Sequence, residues 1–106
     1  MGQREDILGS DDLAVEELVV PEWGQTVRIR RMRIDEALNS ELLRSGDAVD
    51  AAVHSVIASV VDESGARIFT SEDAAALKAK SAAAIARISK AAMRLNGFQS
   101  EQAEKN

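Results

Sequence analysis

The stretch LVVPEWGQTVRIRRMR, residues 18–33, decides how the chain begins to fold. Its centre is Pro21-Glu22-Trp23-Gly24. Proline has no amide hydrogen to give to a ladder, so a strand formed by Val19 and Val20 ends at Pro21. Gly24 brings the backbone freedom that a tight turn needs. Beyond it, Val27 and Ile29 alternate with Arg28 and Arg30, the period-two signature of a half-buried strand. Residues 17–33 therefore read as a two-stranded β-hairpin. Val27 and Ile29 dock on the rest of the protein, and the arginines take the solvent face. Arginine stems can cover apolar surface while their heads stay wet. Trp23 at the turn serves either as a core plug or as a contact residue.

Downstream the periodicity turns helical. Residues 35–44 are expected to form a short helix, with Asp35 as cap, Ile34, Leu38 and Leu42 recurring at i, i+4, i+8, and Gly46 as terminator. A longer helix over 48–61 starts behind the N-cap Asp47, with Asp50 near the positive end of its dipole. Val49, Ala52, Val53, Val56, Ile57 and Val60 fall on its apolar stripe. These β-branched residues are mediocre helix formers, so burial must stabilise it. Asp62-Glu63-Ser64-Gly65 is a turn, and Arg67-Ile68-Phe69 a very short extended piece. Thr70 opens the next helix, with Asp73 as its capping-box partner. Ala74 and Leu77 face inward there, and Lys78 and Lys80 suit its C-terminal end. The last helix runs over 82–96 behind Ser81, with Ile85, Ile88, Ala92 and Leu95 as its packing seam. Gly97 caps it and Phe98 closes the contact. The fold class is thus a small α+β domain, mostly α with about four helices, carrying an N-terminal two-stranded hairpin. Residues 1–12 read as a mobile acidic lead in which Ile7 and Leu8 form a small anchor if a partner binds there, 13–98 as the single domain and 99–106 as a polar tail.

The 106 residues suffice for one small domain with a modest core. Aromatic residues make up 3%, so helices must pack through small side chains, with self-association as one way to add buried area. The net charge of −5 disfavours a general nucleic-acid binder, which needs cations to displace counterions. The charge is uneven: Glu5, Asp6, Asp11, Asp12, Glu16, Glu17 and Glu22 precede the block Arg28, Arg30, Arg31 and Arg33. The acidic lead folding back beside the basic strand accounts for both. There is no cysteine, which removes disulfides and thiolate chemistry. No apolar run has the length of a membrane helix, and no signal peptide is visible.

No catalytic constellation is present. His54 is the single histidine and has neither cysteine nor motif around it. Asp62 and Glu63 lack the alternating oxygens and distal glutamate of a calcium loop. Glu72 and Asp73 are dipole and cap residues, and the serines lack a nucleophile elbow. The expectation is a protein without enzyme activity, metal or cofactor.

Three stretches then carry a resemblance. VPEWGQTVRIR (20–30), VVDESGARIFTSEDAAALKAKSAAAIARI (60–88) and RLNGF (94–98) occur in the order found in tail assembly chaperones of long-tailed, siphovirus-like phages and prophages. Their shared pattern is an acidic lead, a Val-Pro-Glu-Trp-Gly hairpin, a hydrophobic helix ending in Asp-Glu-x-Gly, an acidic cap and a helix closing at Leu-Asn-Gly. Residues 32–47 match it poorly. The resemblance implies a cytoplasmic, non-enzymatic protein that binds the tape measure protein, keeps it soluble, helps tail tube subunits assemble, and leaves before the tail is finished. A helix-rich tape measure protein would aggregate with its apolar stripes bare. The contact residues expected for it are Trp23, Val27 and Ile29 on the hairpin and Ile85, Ile88, Ala92 and Leu95 on the last helix, faces that also serve the core. Such systems often make a longer form by ribosomal frameshifting, whose extension recruits the tail tube protein. Lys105-Asn106 is a dipeptide that a slippery run can encode. Two rivals stay open: a small structural tail or head-tail connector protein, and a DNA-binding regulator using the arginine-rich strand.

Overall fold

The structure, a computed structural model, describes residues 2–38 and 44–97. A short helix, α1 (Gln3–Leu8), leads into strand β1 (Val15–Val20). Pro21–Trp23 form one 3₁₀ turn, and Gly24 follows at φ 62°, a left-handed conformation that glycine enters without strain. Strand β2 (Gln25–Arg30) then returns antiparallel, pairing Leu18 with Val27 and Val20 with Gln25. The hairpin is as expected, with its first arm starting earlier, at Val15.

Helix α2 (Ile34–Leu38) comes next, then α3 (Ala48–Ser59) and strand β3 (Val60–Val61). The sheet has three strands in the order β1-β2-β3, which corrects the two-stranded expectation. Val60 and Val61 leave the helix they were expected to end, and pair with Ile29 and Arg28. Their β-branched side chains suit an extended backbone beside a strand. Arg67 adds an isolated bridge to Val61, so the short extended piece around Ile68 is present. A 3₁₀ turn, Ser71–Asp73, opens α4 (Ala74–Lys78), and α5 (Ala82–Asn96) closes the described fold.

Local chemistry explains most of the helix starts. Asp47 accepts from the amide of Val49 at 2.7 Å. Thr70 and Asp73 form a complete capping box, and Ser81 accepts from the amide of Ala84. At α2 the expectation changes: Glu36, not Asp35, reaches back to the amide of Arg33 at 2.8 Å. Asp35 instead pairs with the Arg33 guanidinium. Ile34 is 75% exposed, so it does not start an inward stripe. Leu42 and Phe98 lie outside the described residues.

The core is where the helices meet the inner face of the sheet. Helix α5 packs on α3, on both hairpin strands and on the Pro21–Trp23 turn. Val20 and Ile29 from the sheet, Val53, Val56 and Ile57 from α3, Leu77 from α4, and Ala84, Ile88 and Ala92 from α5 are buried together. Val49, expected on the α3 stripe, is exposed at the start of that helix.

Candidate partner-binding surface

The two sets of residues expected to contact a partner face each other. Ile29 from β2 and Ile85, Ile88 and Ala92 from α5 are buried in one cluster. Trp23, Val27 and Leu95 pack against that cluster while only partly buried. The structure therefore brings the hairpin and the last helix together as one apolar seam. Four of its members are covered in the isolated chain, and three stand at its rim. The seam was built on alternation along β2 and 3-4-3 spacing along α5. Those signals identify an inward face without saying what covers it.

Polar contacts hold the seam closed. Glu22, in the turn, takes a two-point contact from Arg87 of α5, at 2.8 and 3.2 Å. Glu16, on β1, accepts from Arg94 seven residues further along the same helix. Arg31 donates from Nε to the Leu95 carbonyl at 2.8 Å, and the Met32 amide donates to Asn96 Oδ1 at 2.9 Å. The hydrogen bond from Arg87 holds the Glu22 carboxyl below the usual range. The indole Nε1 of Trp23 is buried beside this seam without a hydrogen-bond partner.

The arginines of the opening stretch turn out to be structural. Arg28 pairs across the hairpin with Glu17 at 3.2 Å. Arg30 donates to both carboxylate oxygens of Glu36 at 2.8 Å. Its side chain is 15% exposed, so this pair is covered rather than solvated, which corrects the placement of Arg30 on the solvent face. Arg31 spans from Leu95 to the Asp12 carbonyl, and Arg33 holds Asp35. Each head of the block is thus engaged within the chain: by Glu17 of the first arm, by Asp35 and Glu36 after the hairpin, and from the acidic lead only by the backbone carbonyl of Asp12.

His54 lies on α3, 7% exposed, with Nε2 unpartnered. Burial pushes its imidazole below the ordinary 6.5, opposed by the nearby carbonyls of Glu36 and Ala37 and reinforced by Arg67. Glu36 also lies 4.0 Å from Arg67. This is a buried polar junction where α3 meets α2. Among the described residues, no group of three or more His, Cys, Asp or Glu side chains could hold a metal ion. No helix among them is long and apolar enough to cross a membrane. Asp62 is used up in its own turn, accepting from Ser64 and Ala66.

Two exposed apolar features lie outside this seam; sequence reasoning missed the first and had named the residues of the second as a small anchor. Val15 and Val19 lie on the outer face of β1, 48% and 62% exposed. Ile7 and Leu8 sit on α1, at 60% and 68%. The alternation of residues 15, 17 and 19 could have revealed the first, since it runs in step with the inward set 16, 18 and 20.

No protein-family model matches the chain, and no curated protein does. Among solved structures, the bacteriophage HK97 tail assembly chaperone has a similar fold. The TM-score is 0.64 at 21% identity, over 90% of this chain and 95% of that one.

Proposed function

We propose that this chain is a tail assembly chaperone of a long-tailed phage or prophage. It binds the tape measure protein in the cytoplasm of the bacterial host, keeps it soluble and helps bring tail tube subunits to it. It has no enzymatic step and is absent from the finished particle. The observation that carries this reading is the fold shared, nearly end to end, with the HK97 tail assembly chaperone. The ordered motifs around Trp23, Asp62 and Asn96 support it independently.

The physical task is to cover apolar helix stripes that would otherwise associate. The rim of the hairpin–α5 seam suits that task. Trp23, Val27 and Leu95 keep part of their apolar surface accessible, and a helix laid along the seam would extend the existing core. Frameshifting near Lys105-Asn106 would supply the longer form that engages tube subunits.

Particle composition tests this reading against the connector alternative. Purified virions analysed by quantitative mass spectrometry should lack the chain, while infected-cell lysate contains it. Stoichiometric amounts in purified virions would replace the chaperone reading with a structural one.

A further inference from the structure

Among the described residues, nothing buries helix α1. It is six residues long, and none of them is buried. Isolated helices shorter than about 12–15 residues are marginal in water, and packing of an apolar face normally stabilises them. Here the apolar residues are Ile7 and Leu8, 60% and 68% exposed. Yet the end of the helix is well specified. The Gly9 amide donates to the Glu5 carbonyl at 3.0 Å. The Ser10 amide and hydroxyl both donate to the Ile7 carbonyl, at 3.2 and 2.8 Å. These hydrogen bonds fix where α1 stops, while the described residues leave its apolar side chains exposed.

The tether is short and anchored. Arg31 holds the Asp12 carbonyl with its guanidinium and the Ala14 carbonyl with its amide. Only residues 9–11 separate that anchor from the helix. Its charge selects the occupant. Glu5, Asp6, Asp11 and Asp12 flank the two apolar residues in the sequence. The one base, Arg4, already lies 3.8 Å from Glu5.

We infer that α1 is a docking segment that inserts Ile7 and Leu8 into an apolar groove, rimmed by lysines or arginines, on a helical partner polypeptide. This is helix-in-groove recognition, in which a short amphipathic turn supplies apolar anchors and its flanking charges set orientation and partner choice. The chaperone reading underlies the identity of the partner, a tail protein with such helices. The chemistry of the contact does not depend on it.

Two arms test the inference separately. In the first, the probe is a synthetic hairpin of two amphipathic helices of about twenty leucines and lysines each, long enough to be helical in water, whose paired helices form an apolar groove rimmed by lysines. It is titrated into the full chain with NMR detection of the methyl groups. The Ile7 and Leu8 signals should move first, and the affinity should fall with added salt. The double variant Ile7→Asp, Leu8→Asp should bind at least about tenfold more weakly, while its melting temperature stays that of the parent. Equal binding by the variant, or shifts only elsewhere, would overturn the proposal. In the second arm, the tape measure protein is co-purified with parent or variant. Retention by the parent and loss by the variant supports α1 as the anchor, and equal retention overturns it. No retention by either would defeat the chaperone reading, and the peptide arm alone would then decide the role of α1.

Discussion

At the scale of single residues, the chain spends its polar groups on architecture. Glu36 illustrates this. It accepts twice from Arg30, caps α2 through the Arg33 amide, and has an 11% exposed side chain beside Arg67. Removing it leaves a covered guanidinium without a carboxylate, and that penalty exceeds the modest net value of the intact pair. Glu36→Ala should therefore destabilise the fold by about 2–4 kcal/mol, read by urea denaturation. Gly24→Ala tests the turn in a different way. A Cβ there meets nothing within 4 Å, so the cost is that of holding a non-glycine residue at φ 62°. It should lie near 1–2 kcal/mol. His54 gives a pH signature. Burial lowers its folded pKa below 6.5, so the unfolded chain binds the proton more readily. Its contribution is complete above pH 6.5 and declines as the pH falls through 6.5 toward the folded value. Denaturation midpoints at pH 7.5 and 5.5 should differ in the parent, the lower pH being less stable. His54→Gln should flatten that difference, and an unchanged difference would place the effect elsewhere.

At the scale of elements, the parts legible in the sequence are those set by near neighbours. Asp47, Thr70 with Asp73, and Ser81 announced their helices because a cap acts over two or three residues. Thr70→Ala should cost about 1 kcal/mol, measured as a shift of the denaturation midpoint. The hairpin was legible because Pro21 and Gly24 are punctuation. What could not be read depends on distant pairing. Val60 and Val61 continue the apolar stripe of α3, and only their pairing with Arg28 and Ile29 makes them a strand. Arg31 finds the Leu95 carbonyl 64 residues away, and Glu16 finds Arg94 at 78. No local pattern encodes those contacts. The same limit applies to the candidate site. Alternation and helical spacing picked out Ile29, Ile85, Ile88 and Ala92 as inward, and they are buried against one another. Ile88→Ala should accordingly destabilise by about 2–5 kcal/mol, as a core truncation does. Trp23 and Leu95, at the rim, are the better positions for separating partner binding from folding.

At the scale of the whole molecule, the chain joins a small sheet and an alanine-rich helical layer along one seam, with short exposed apolar segments at its N-terminal side. This arrangement suits a protein whose work is done by covering another. The tape measure protein that it is proposed to cover should be insoluble alone. The most direct measurement is the soluble fraction of that protein, expressed in the host with and without this chain. The account predicts that it stays in the pellet alone, moves to the supernatant with the parent chain and co-elutes with it on size exclusion. A soluble fraction unchanged by the chain, with no co-elution, would contradict the central claim.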